Sequence, residues 1–279
     1  MSGIKIATLC CNNVMTSAGL LAEHGQSFLV ETPDASILFD VGQTDVALRN
    51  AAKMGKDLSK TDFVVLSHGH YDHAGGLLAL LDVAKSFKLV VHPDAFAEKL
   101  AMTPNGMMPI GISKEIVDKL AAAGVERIET TEPFEVAPGV STTGEVPSAN
   151  DFEKIEPMLM VRGADGAPAP DPLRDDLSLI VKSEKKSALL LGCAHRGIIS
   201  HIERAAAVSG VEKFDAVVGG MHLERAAQPQ IDATVAALKK YGVSSIVPSH
   251  CTGPRATAAL MAAFPNSALP NFVAYSFSV

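Results

Sequence analysis

Eleven short apolar runs, separated by longer amphipathic stretches, set the main limit on what this chain can fold into. They are IKIATL, SFLVET, ASILFD, FVVLS, KLVVH, MLMVR, LSLIVKS, SALLLG, DAVVGG, SSIVPS and FVAYSFSV. Their length and β-branched content suit buried strands rather than helices. Helix-like periodicity falls at 45–54, 76–83, 113–123, 198–208, 230–241 and 255–264, with Gly124 and Gly242 where C-caps belong. Strands crowd the first half and alternate with helices in the second. That order predicts sheets covered by helices in a layered α/β architecture, as one domain over 1–279. The stretch RGADGAPAPDPLRDD, 162–176, reads as an exposed loop because its prolines and short polar residues build no core. A flexible loop over about 150–176 is expected to help select the substrate.

Composition narrows the partners. Hydrophobic residues make up 47% and charged ones 20%, a globular balance. The net charge of −7 argues against nucleic-acid binding, which needs a basic stripe. Four cysteines, Cys10, Cys11, Cys193 and Cys251, are too few and too badly spaced for a disulfide scaffold. The N-terminal apolar run is too brief for a signal peptide or a membrane span, so a cytoplasmic protein without membrane contact is expected. Apolar surface residues would allow a homodimer.

Immediately behind the run Phe63–Ser67 come His68-Gly69-His70-Tyr71-Asp72-His73. If the extended backbone persists, His68 and His70 point to one side, and Asp72 and His73 follow where the chain bends. Imidazole and carboxylate are the ligands that borderline divalent cations prefer, zinc above all. A polar loop has no structural need for four such donors in six residues, and a metal does.

SHGHYDHAGGL resembles the His-x-His-x-Asp-His signature of the metallo-β-lactamase superfamily, and ILFDVGQT, 37–44, resembles that family's early strand ending in Asp-x-Gly. The resemblance covers essentially the whole chain. It implies a four-layer αββα sandwich and two divalent metal ions, zinc first with iron or manganese as alternatives. By its pattern His68, His70, Asp72, His73 and His250 are metal ligands. Cys193, in ALLLGCAHRG, stands where the family usually has a bridging aspartate. The place of the remaining first-site ligand, normally a histidine, resembles STTGEVPS, which supplies Glu145, so either Glu145 or His195 completes that site or the first metal is weakly held. AEHGQSFLVET, GCAHRGI, GGMHL and PSHCTG are similar to one branch, the metal-dependent hydrolases often labelled dihydropterin-methyl-ribofuranosylaminobenzene phosphate synthase.

The roles follow. A bound metal lowers the pKa of its water from about 15.7 toward 7, and Asp72 would orient that water. His195 and His222 are the other catalytic candidates, His222 as a proton donor lining the pocket. Arg196, at the start of a helix-like run, would favour an anionic group, with Glu145 beside the substrate. His24 is read as pocket wall, and His92 and His201 as structural or surface histidines. The expected activity is hydrolysis of a small, phosphate- or carboxylate-bearing molecule. The alternatives are a condensing enzyme of the labelled type, a diiron redox protein and a non-catalytic metal-binding module.

Overall fold

The computed structural model describes residues 3–15, 19–163 and 165–279. One sheet joins β1 (Lys5–Cys10), β2 (Ser27–Glu31), β3 (Ser36–Phe39), β4 (Phe63–Val65), β5 (Lys88–Val91), β8 (Glu126–Glu129) and β17 (Ser276–Ser278). Their order is β17-β1-β2-β3-β4-β5-β8. A second sheet contains β9 (Glu135–Ala137), β10 (Val140–Thr142), β13 (Ser178–Lys182), β14 (Ser187–Leu191), β15 (Ala216–Gly220) and β16 (Ser245–Ser249), ordered β16-β15-β14-β13-β10-β9.

The continuous apolar character of the strands follows from the period of two. In β2, Phe28 and Val30 face the second sheet while Leu29 faces the helices; in β3, Ile37 and Phe39 face inward and Leu38 outward. The second sheet repeats this, with Leu179, Val181, Leu190 and Val218 inward and Ile180, Leu189, Leu191 and Val217 outward. The sheets therefore share one core and each has a second core on its outer face. Helices α1 (Val46–Lys53), α3 (Leu77–Val83) and α4 (Lys114–Ala122) cover the first sheet. Helices α5 (Ile198–Ser209), α6 (Gln228–Tyr241) and α7 (Gly253–Ala263) cover the second. This is the αββα sandwich. Each of the six helices falls on a segment with helical periodicity, and α4 and α6 are followed or capped by Gly124 and Gly242 at φ 68° and 61°. A single turn, α2 (Tyr71–Ala74), lies inside the histidine motif.

A third, antiparallel sheet was not expected: β6 (Lys99–Thr103), β7 (Gly106–Pro109), β11 (Leu159–Arg162) and β12 (Pro168–Pro170), in the order β12-β11-β6-β7. The stretch read as an exposed loop thus carries an edge strand, where proline is tolerated because one side needs no donor. Beyond it Leu173 is fully buried, in a small core with Ile110 and Leu159. Asp171, Asp175 and Asp176 are buried too, each held by a partner from elsewhere in the chain. Composition alone does not show such pairing.

Candidate metal centre

The strands of both sheets end along one edge, and the candidate residues sit just beyond them. Asp40 follows β3, His68 follows β4, Cys193 to His195 follow β14, His222 follows β15 and His250 follows β16. Asp40, Ala194, His222 and His250 all have positive φ, between 46° and 57°. Non-glycine residues in that region cost about 1–3 kcal/mol each and cluster where function holds them in place. At Gly192 the sheets approach so closely that an added Cβ would lie 2.1 Å from Ser67 Oγ, so only glycine fits.

The donors form adjacent sets. His68, His70 and His195 converge, with His68 Nε2 at 3.0 Å from His70 Nδ1 and 3.3 Å from His195 Nε2. Asp72 Oδ2 lies 3.1 Å from His250 Nε2, 3.7 Å from His73 Nε2 and 3.2 Å from His24 Nε2. Between the sets stands Cys193, whose Sγ is 3.2 Å from His73 Nε2. Cys193 shares donor groups with His68 and His73, with His195 and His222, and with His250 and Cys251.

Surrounding residues decide which ring nitrogen faces inward. Ser67 donates from N and Oγ to Asp40, both at 2.7 Å, and His73 Nδ1 meets the same carboxylate at 2.7 Å. Ser67 Oγ, having given its hydrogen to Asp40, accepts from His68 Nδ1 at 2.8 Å, leaving His68 Nε2 a bare lone pair. His250 Nδ1 is held by Asn12 Oδ1 at 2.8 Å. Beneath the motif, buried Lys99 binds Asp171 and Asp175 at 2.8 and 2.9 Å, and Asp175 accepts from Gly69 N.

Burial, followed by neighbouring histidines, pushes His68 and His195 well down, and burial takes His70 to about 3. These three imidazoles are therefore neutral, and each keeps a lone pair that can serve a cation. Burial also opposes charge on His73, but Asp40 and Asp72 outweigh it and hold the ring up at about 9. Asp72 stays ionised: burial would raise it, and His73, His24 and His250 more than reverse that. Burial and Cys251 push the Cys193 thiol up. His222 is lifted to about 10, burial being overcome by Cys251 and Glu156. Among the described residues, His70 Nε2 and His195 Nδ1 are buried without a hydrogen-bond partner. Unpartnered ring nitrogens among buried imidazole, carboxylate and thiol groups make a donor set that fits a borderline divalent cation.

Several expectations meet their positions here. His68, His70, Asp72, His73, Cys193 and His250 come together, and His195 joins the first set. Glu145 does not: it receives His92 Nε2 at 3.0 Å and lines a separate cavity. The helix start behind Arg196 is not open to an anion, because the Glu153 carboxylate already accepts from Ile199 N at 2.7 Å and Ser200 N at 3.0 Å. Arg196 itself is turned to the backbone carbonyls of Val146 and Pro172. The His222 ring lies tilted against that of His195, at 4.0 Å between ring centroids, and faces Glu156. His92 and His201 are buried structural residues, His201 lying between Ser178 and Asp176. Sequence reasoning missed Cys251, Asn12, Lys99 and the bond from His24 to Asp72. Of these only Cys251, next to His250, had a local signal. Among the described residues no helix is long and apolar enough to cross a membrane.

Comparison with known proteins agrees with this geometry. Residues 21–149 match the metallo-beta-lactamase superfamily. A 7,8-dihydropterin-6-methyl-4-(beta-D-ribofuranosyl)-aminobenzene-5'-phosphate synthase of Methanocaldococcus jannaschii is 30% identical over 272 residues, covering 95% of this chain and 92% of its own. An uncharacterized protein of the same archaeon is 35% identical over 255 residues, 90% of each chain. A solved metal-dependent hydrolase of the beta-lactamase superfamily superposes with a TM-score of 0.85 at 28% identity, over 99% of both chains. Fold, strand-end donors and relatives agree, and the chain belongs to the metallo-β-lactamase superfamily.

Proposed function

We propose that this protein is a metal-dependent hydrolase that holds a pair of divalent cations, zinc foremost, and acts on a small anionic molecule. The observation that carries the reading is Cys193, set between the His68/His70/His195 group and the Asp72/His73/His250 group. When bound, such cations make a water acidic enough to ionise near neutral pH and polarise the bond under attack. Asp72, held as a carboxylate by His73, His24 and His250, would orient such a water and accept its hydrogen bond. His222 lies between His195 and a cavity of about 350 Å³. Glu156 Oε1 lies 3.4 Å from its Nε2 on the cavity side, and the ring is placed to hand a proton to a leaving oxygen. Lys154 and Arg225 line the same cavity against the single carboxylate of Glu156, a balance that favours a negatively charged substrate.

The 30% identical synthase favours a second reading of the same site, a condensing enzyme acting on a reduced pterin and an aminobenzene ribosyl phosphate. One preparation tests both. Protein purified without added metal is analysed for metal content, then assayed on phosphodiester, lactone, thioester and β-lactam panels. It is also assayed on a dihydropterin carrying a diphosphate on its 6-methyl carbon, with a ribosylaminobenzene phosphate, so that the carbon–oxygen bond breaks and diphosphate leaves as the amine nitrogen bonds that carbon; products are read by mass spectrometry. Bound zinc with hydrolytic turnover supports the first reading, and a joined pterin product the second. Bound iron with an electronic signature would favour a redox protein. Protein that takes up no divalent cation and stays inert refutes both readings.

A further inference from the structure

We propose that the open cavity bordered by Arg174, Arg196 and Arg204 binds a phosphate or diphosphate group at a site distinct from the metal-ligating histidines. The cavity measures about 440 Å³, and none of its lining residues belongs to the donor sets around Cys193. Three guanidinium groups border it against one carboxylate, Glu145, which is engaged with His92. In a chain of net charge −7 this is a marked local reversal of sign.

Arg196 and Arg204 are oriented without being neutralised. Arg196 donates from Nε to the carbonyl of Val146 and from a terminal nitrogen to that of Pro172, and Arg204 Nε donates to the carbonyl of Thr143 at 3.0 Å. Carbonyl oxygens fix the planar forks but leave their charge uncompensated. Among the described residues Arg49, Arg127 and Arg162 form ion pairs, whereas Arg174, Arg196 and Arg204 do not. Arg174 is exposed at the rim and has no side-chain hydrogen bond among those residues. Pre-set guanidinium forks around an open volume match the several acceptor oxygens of a phosphate better than those of a single carboxylate. The site also adjoins the metal centre mechanically. Arg196 follows His195 and donates from its backbone N to Asp176 at 2.9 Å, next to the Asp175 that holds Gly69.

Calorimetric titration of the full chain with pyrophosphate and with ribose 5-phosphate tests the assignment. Binding to the unsubstituted protein should weaken at least about tenfold in an Arg174→Ala/Arg204→Met variant and in Arg174→Glu, whose exposed position spares the fold. His70→Ala should leave the affinity within about twofold, since the cavity does not draw on the imidazole cluster. The tighter of the two probes says whether a free ion or an organic phosphate is the natural occupant. No binding, equal binding by the arginine variants, or an equal loss in His70→Ala would each overturn the proposal. None of these outcomes depends on hydrolytic activity, so they are separate from the test of the metal centre.

Discussion

Replacing Asp40 by asparagine should damage the metal centre from outside it. Asp40 is fully buried and accepts three hydrogen bonds of 2.7 Å, from Ser67 N, Ser67 Oγ and His73 Nδ1. In Asp40→Asn one oxygen can still accept from Ser67 N, but an amide nitrogen now faces Ser67 Oγ and His73 Nδ1. Facing a donor, His73 Nδ1 must give up its hydrogen, so when the ring is neutral its one proton stays on Nε2. That atom stands 3.2 Å from Cys193 Sγ and 3.3 Å from His250 Nε2, so the proton occupies the direction a cation needs. Losing the carboxylate behind a ligating histidine typically lowers metal affinity about 10- to 100-fold, or about 1.4–2.7 kcal/mol. Exchanging two charge-assisted bonds for neutral ones costs the metal-free fold about 2 kcal/mol besides. Competition for zinc against a chromophoric chelator reads the first effect and urea unfolding the second. Zinc affinity within about twofold of the parent, with the stability loss present, would refute the idea that Asp40 sets the tautomer of His73.

Lys99→Met should destabilise the fold by about 3–5 kcal/mol, because Asp171 and Asp175 are left buried without their cation; unchanged denaturant midpoints would contradict this. Glu153→Ala uncovers the N–H groups of Ile199 and Ser200 at the start of α5 and should cost about 2 kcal/mol by the same assay. A loss below about 0.5 kcal/mol would mean that another group caps the helix. His73 is raised from its ordinary 6.5 to about 9 in the metal-free fold. Its contribution, about 3 kcal/mol, is therefore fully present below the lower value and lost as pH rises through the higher one. Zinc must displace that proton, so affinity should fall roughly tenfold per unit as pH drops below about 9. A stability profile of the metal-free protein that stays flat across that window would contradict the assignment.

Much of the scaffold was legible because strands buried on both faces must be apolar at every position, as in SALLLG and SFLVET. The helices showed through their own period and through Gly124 and Gly242. The motif from His68 to His73 was legible because four donors arise within one strand end and its turn. What stayed hidden depends on contacts between distant segments. Nothing local distinguishes Lys99, in KLAMT, from a surface lysine, yet it is buried between two aspartates from a proline-rich stretch. That pairing is also why Asp171 and Asp175 are buried in a stretch whose composition implied an exposed loop. Glu145 occupies the sequence position of a ligand, but its side chain goes to His92, and His195 approaches His68 instead. The start of α5 had the form of an anion site, and only the fold shows that Glu153, more than forty residues earlier, already fills it.

Anomalous diffraction at the zinc absorption edge, on crystals of protein purified without chelator and supplied with zinc, most directly addresses the organisation around Cys193. Two peaks are expected, one among His68, His70 and His195 and one among Asp72, His73 and His250, with the Cys193 sulfur adjoining both. Density on surface carboxylates alone, or none at either position, would contradict the account.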